Sequence, residues 1–184
     1  RAVLASAEEI IAAMDGAGVD VAVVVGIGWS DRELAREAND YLLESLARYP
    51  DRLVAFCVVN PTWGDAALAE VERCAAAGAK GVGELHPDTQ GFDLGDRVVM
   101  APLVEAAVSL GMPILTHASE PVGHLYAGKG RTTPEVLCRF IDSFPDATLI
   151  CAHWGGGLPF YTLMPEVSQA LQRVFFDTAA SPLL

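Results

Sequence analysis

The sequence predicts a parallel α/β fold, and of the two architectures that fit, it favours part of a (β/α)8 barrel over an open doubly wound sheet. Three observations carry this expectation. Short, wholly apolar runs rich in β-branched residues alternate with longer segments of helical periodicity. The runs are apolar on both faces, as in parallel sheets covered on both sides. They close repeatedly on glycine or a polar residue (Gly26, Asn60, Glu84, His117, His153 and Asp177), which gathers chemistry on one rim. The runs number about six, so a barrel built from this chain lacks about two strands.

Each element has a local cause. Ser6-Ala7-Glu8-Glu9 is a capping box, opening a helix through Ile10, Ile11 and Met14 to Gly16-Ala17-Gly18. Val21–Val25 is too short for a helix and reads as a strand. Ser30-Asp31-Arg32-Glu33 is a second capping box, starting a helix through Leu46 towards Pro50. The next strand, Leu53–Val59, ends at Asn60-Pro61. A helix from about Asp65 to Ala77 stops at Gly78, and Ala79–Leu85 follows as a strand. The helix over about Asp96–Leu110 ends at Gly111 and gives way to Met112–His117. After a longer loop, Thr133-Pro134 is an N-cap with proline at the first helical position, and that helix ends near Phe144-Pro145. Strand Ala147–His153, a helix over about Pro159–Arg173 and a strand from Val174 complete the order.

The length of 184 residues suits one domain, expected to span residues 1–184, and 52% apolar content can build a core. With 12 Lys+Arg against 24 Asp+Glu, the net charge of −12 disfavours nucleic acid as a partner. No apolar run reaches the ~20 residues of a membrane span, and Glu8 and Glu9 interrupt any signal-peptide core. Cys57, Cys74, Cys138 and Cys151 lack CxxC spacing and read as reduced cysteines of a cytoplasmic protein. The chain starts at Arg1 and stops at Pro182-Leu183-Leu184, and both ends look cut.

Two motifs mimic nucleotide loops. Gly26-Ile27-Gly28-Trp29-Ser30-Asp31 carries Asp31 where a dinucleotide fingerprint needs a small residue. Gly123–Lys129 reads G-x4-G-K, but Gly130 stands where magnesium would need Ser or Thr, and the helix begins only after Pro134. A mobile active-site loop fits that segment better. His117 and His153 close strands about one strand–helix unit apart, and two imidazoles on one rim suit metal ligation or proton transfer. Glu84, ending another strand, is a candidate ligand, acid/base or partner orienting a histidine; the competing reading is an ion pair with Lys80 or Arg97. His86, His124 and Asp177 are weaker candidates, structural or facing substrate. Trp154 could stack on a planar substrate or plug the barrel mouth.

Three segments resemble the amidohydrolase-related family of the amidohydrolase superfamily, which includes aminocarboxymuconate-semialdehyde decarboxylase. They are Thr116-His117-Ala118-Ser119-Glu120-Pro121, Ala152-His153-Trp154-Gly155-Gly156 and Phe176-Asp177-Thr178-Ala179-Ala180-Ser181-Pro182. The stretches Met14–Asp20 and Asn60-Pro61 fit as well. The resemblance implies a metal-dependent (β/α)8 barrel that hydrolyses or non-oxidatively decarboxylates small organic acids or amides. It implies His117 as a metal ligand on strand five. His153 matches the strand-six histidine, which ligates the metal or holds its water as a general acid/base. Zinc is the default, with manganese, iron or cobalt open. The family's first-strand His-x-His pair and eighth-strand Asp are absent, and Asp177 matches strand seven instead. The expectation is a chain drawn from the middle of a longer protein; if it exists alone, its open barrel edges should make it a homo-oligomer or aggregation-prone.

Two other readings stand beside the enzyme. One is a catalytically inactive barrel fragment kept as a binding or oligomerising unit. The other is a metal-free open α/β sheet that binds a small ligand.

Overall fold

Residues 5–179 are described by a computed structural model. The elements are α1 (Ala7–Ala17), β1 (Ala22–Val25), α2 (Arg32–Arg48), β2 (Leu53–Cys57), α3 (Asp65–Ala76), β3 (Gly81–Leu85), α4 (Pro87–Gln90), α5 (Arg97–Ser109), β4 (Ile114–Thr116), α6 (Pro134–Ser143), β5 (Leu149–Cys151), α7 (Pro165–Ala170) and β6 (Val174–Phe176). The Ala180-Ser181-Pro182 part of the third family-like segment lies outside the described residues, as does the start at Arg1.

Among the described residues the strands form one parallel sheet in the order β1-β2-β3-β4-β5-β6. That order never reverses, so the doubly wound alternative is excluded: winding both ways requires a switch point in strand order. The six-unit incomplete barrel is what the sheet resembles. Its helix-facing side carries the main core, where Cys57, Val82, Leu85, Ile114, Leu149 and Cys151 pack on Met100, Leu103, Leu137 and Phe140. The other side holds a small cluster drawn from β2, β4 and β5 and the residue after β5: Val54, Phe56, Leu115, Ile150 and Ala152. Two covered faces were expected, but β1 and β6 lie at open edges, and Val23 (55% exposed) and Phe175 (58%) stand bare on the inner face. Glycine lets β2 and β4 approach β3 closely: a Cβ on Gly83 would sit 2.3 Å from the Leu115 carbonyl oxygen. A Cβ on Gly81 would sit 2.6 Å from the Phe56 ring.

Local signals hold for most elements. Ser6 and Glu9 form the reciprocal capping box of α1. At α2 the cap is Asp31 rather than Ser30; its Oδ1 accepts the Glu33 and Leu34 N–H groups, both at 2.9 Å, and a charged acceptor suits the helix N-terminus better than a hydroxyl. The expected helix over Pro159–Arg173 is broken. Trp154–Gly157 run left-handed within a 3-10 segment, His153–Leu163, and only Pro165–Ala170 is α-helical. Pro159 and Pro165 cannot donate to a preceding turn, which prevents one continuous ladder. The short helix α4 was not anticipated.

Buried polar side chains lock the layers. Asn39 on α2 exchanges hydrogen bonds with Val58 (2.9 and 2.8 Å) and donates to Glu70 Oε1 on α3 (2.8 Å), so a fully buried amide satisfies both ends. Gln90 does the same at the rim, donating to the Val59 and Trp29 carbonyls and accepting the His86 N–H. Burial pushes the Glu70 carboxyl up, but the hydrogen bonds from Arg73 and Asn39 outweigh it and hold the group below its ordinary value. A carboxyl lowered in the folded state adds stability above its unfolded pKa of about 4.3, and that stability is lost as pH falls through the lower folded value. We expect Glu70→Gln to flatten the acid limb of a pH–stability curve below about pH 4.3. Denaturant midpoints measured from pH 6 to 3 check this; an unaltered slope would remove Glu70 from the account.

Candidate metal centre

The carboxyl ends of β3, β4 and β5 deliver Glu84, His117 and His153 to one point. On β3 the register to β4 shifts between Val82 and Leu85, so three residue steps oppose two. Such a bulge re-aims a side chain, and here it belongs to the segment that presents Glu84 to the rim. The Leu85 carbonyl then accepts the His117 N–H at 2.7 Å, fixing the two strand ends together. Glu84 Oε1 lies 3.0 Å from His117 Nδ1, and His117 Nδ1 lies 3.3 Å from His153 Nε2. The expected competitor, pairing of Glu84 with Lys80 or Arg97, is replaced by this contact.

The donor atoms of the three residues lie within 4.8 Å of one another. Ligands about 2.1 Å from a single tetrahedral ion stand about 3.4 Å apart, so the widest pair closes by about 1.4 Å to share one ion. One carboxylate and two imidazoles suit zinc, manganese or iron, and three protein ligands leave a position open for water or substrate.

Neighbouring groups fix these side chains. His117 Nε2 is 3.3 Å from Ser119 Oγ, which accepts the Gly130 N–H at 2.9 Å. The His86 ring stacks on His117 at 4.2 Å, 18° from parallel. Its Nδ1 accepts the Thr89 N–H, capping α4, and burial followed by the charge of His117 pushes its pKa down. His86 therefore has a structural task. Asp177, at the end of β6, accepts the His153 N–H.

The two nucleotide-like loops do other work. A Cβ on Gly28 would lie 2.5 Å from the Cβ of His86, so glycine there permits two rim loops to meet. Lys129 donates to Glu120 Oε1 (2.9 Å) and to the Val122 and His124 carbonyls (2.6 and 3.2 Å). It holds its own loop together instead of reaching for a phosphate. Tyr126 completes the clasp by donating to Glu120 Oε2 at 2.9 Å. A cleft of about 460 Å³ opens beside His153, walled by Trp154, Gly156, Phe160, Glu120, His124 and Tyr126. Trp154 thus lines a mouth rather than plugging it. Ser119 and the Glu120–Tyr126–Lys129 clasp were not singled out from sequence; the hydroxyl two residues beyond His117 was the one available signal.

Comparison with known proteins places the chain in a family. A family model described as Amidohydrolase matches residues 4–182. A gamma-resorcylate decarboxylase from Polaromonas sp. (strain JS666 / ATCC BAA-500) is 26% identical over 155 residues, 70% of this chain and 46% of that protein. The chain therefore spans about half the length of the curated relatives it matches. Among solved structures, 5-carboxyvanillate decarboxylase from Novosphingobium aromaticivorans, complexed with manganese and 4-hydroxy-3-methoxy-5-nitrobenzoic acid, matches at 26% identity and a TM-score of 0.67, covering 89% of this chain and 53% of that one. The Sphingomonas paucimobilis 5-carboxyvanillate decarboxylase matches in fold, with a TM-score of 0.71 at 21% identity over 91% of this chain and 63% of that one.

Proposed function

The chain belongs to the amidohydrolase family, and from that premise we propose that it works as a metal-dependent, non-oxidative decarboxylase of small organic acids. One observation carries the reading: Glu84, His117 and His153 converge at the carboxyl ends of three consecutive barrel strands. Hydrolysis of a small amide by the same centre is the second reading, favoured by the family description. The decarboxylases among the relatives favour the first.

Glu84, His117 and His153 would hold one divalent metal, with zinc the sequence expectation and the manganese of a relative's structure an equal candidate. When bound, such an ion polarises a carboxylate or carbonyl and lowers the pKa of a bound water. The His153 Nδ1 sits 2.6 Å from the Ala179 carbonyl, which can only accept, so Nδ1 carries the proton. Nε2 is then the single atom through which neutral His153 binds a metal or exchanges a proton. The cleft beside it takes the substrate, with Trp154 and Phe160 as its apolar wall. In decarboxylation the bond to the carboxyl carbon breaks, carbon dioxide leaves and a proton takes its place.

The wider reading follows the same lines. The 1–184 segment is one domain, an incomplete barrel of about six strand–helix units. Four free thiols suit a reducing cytoplasm, and no helix among the described residues is long and apolar enough to cross a membrane. So acidic a chain does not suit nucleic acid as a partner; a small-molecule substrate and assembly as a homo-oligomer complete the reading.

Titration with manganese, zinc and cobalt, followed by a carbon dioxide release assay on hydroxylated aromatic acids, tests the proposal. One metal per chain with carbon dioxide release supports decarboxylation, one metal with amide cleavage alone supports hydrolysis, and no metal binding would overturn both.

A further inference from the structure

His153 stands in an unusual backbone position. It has a positive φ of 55°, and Trp154 follows at 56°. Left-handed backbone disfavours residues with a Cβ, so two in succession persist only where their surroundings hold them. The holding comes from β6. The Cys151 carbonyl accepts the Asp177 N–H at 3.1 Å, and the Asp177 carbonyl accepts the Trp154 N–H at 2.8 Å. One side-chain atom, Asp177 Oδ1, accepts both the His153 N–H and the Ala179 N–H, each at 3.0 Å. That shared oxygen ties the backbone of the histidine to the backbone of Ala179, whose carbonyl meets His153 Nδ1.

We propose that Asp177 is a positioning residue: by bridging the His153 and Ala179 amides through one oxygen, it sets which ring nitrogen of His153 is protonated and aims Nε2 at Glu84 and His117. The consequence for a bound metal rests on the metal-centre reading; the tautomer assignment does not. What the site requires is an acceptor at one place, not a negative charge. An asparagine keeps an acceptor oxygen there. A glutamate keeps the charge but moves the oxygen by a methylene, and an alanine removes it.

The test is a long-range proton–nitrogen NMR spectrum of the imidazoles in metal-free protein at pH 8. The chain has four histidines, and loss of one signal set in His153→Gln assigns the relevant ring. Wild type and Asp177→Asn should show His153 protonated at Nδ1, whereas Asp177→Glu and Asp177→Ala should show a mixture of tautomers with the His117 pattern unchanged. Cobalt affinity should fall about 10–100-fold in the Glu and Ala variants and stay near wild type in Asn. A wild-type tautomer pattern in Asp177→Glu, or its loss in Asp177→Asn, would overturn the proposal. Should the Ala variant misfold, the Asn–Glu contrast decides. A wild type that binds no cobalt would remove the metal-centre reading and leave the tautomer result to judge Asp177 by itself.

Discussion

His117→Ala is expected to cost the protein its metal, with affinity for manganese or zinc falling more than about 100-fold. Losing a group that only supports a ligand costs 10–100-fold, and His117 is the member that touches both of the others. Its Nδ1 lies 3.0 Å from Glu84 and 3.3 Å from His153. Without it, one carboxylate and one imidazole of the group remain among the described residues, a pair too small to hold a catalytic metal by itself. The effect on folding should be far smaller, because the ring lies at the rim against His86 and not in the main core. Metal per chain after gel filtration, read by elemental analysis beside a Glu105→Gln control on the exposed face of α5, checks this. Unchanged metal in the variant would remove His117 from the centre.

Gly156→Ala should be among the most damaging single-methyl additions in the chain. Gly156 has φ of 61°, and a Cβ there would lie 2.3 Å from the Ser119 carbonyl oxygen and 2.7 Å from its carbon. Left-handed backbone costs alanine about 1–2 kcal/mol, and overpacking against a buried neighbour adds about 1–3 kcal/mol. Ser119 cannot yield freely: it is buried, its N–H is bonded to the Thr132 carbonyl, and its hydroxyl sits between His117 and the Gly130 N–H. The strain therefore reaches His117, a proposed metal ligand. Gly157 is the internal comparison, since its φ of 98° also disfavours alanine but a Cβ there would meet nothing nearer than the flexible Phe160 ring at 3.8 Å. Urea denaturation should show Gly156→Ala less stable than Gly157→Ala by about 1–3 kcal/mol, with weaker metal binding in the first alone. Equal losses would show that backbone conformation, not the Ser119 contact, sets the cost.

The acid-sensitive Glu70 network and the Asp177 bridge belong to a different class of feature from these two. Each depends on residues far apart in sequence: Asn39 with Glu70 and Val58, and His153 with Asp177 and Ala179. Nothing local marks Asn39 as a buried amide, because on the helical pattern it is one polar residue among several. Asp177 was visible as a strand-ending carboxylate, yet its bridging task emerges only when β5 and β6 lie side by side.

What the sequence determined by itself is what short-range physics controls. Caps at Ser6 and Thr133, glycine after the helices and β-branched runs between them specify the helix–strand alternation, and its repetition specifies a parallel sheet. The strand-ending histidines follow from the same pattern, since every strand of such a sheet ends on one rim. Tertiary structure decided the rest. It chose Asp31 over Ser30, broke the helix after His153, bared Val23 and Phe175 on the inner face, and turned Glu84 towards His117 instead of Lys80 or Arg97. The physical reason is that a side chain's partner depends on register and curvature between strands, and a single bulge in β3 moves Glu84 by a distance that no periodicity within β3 encodes.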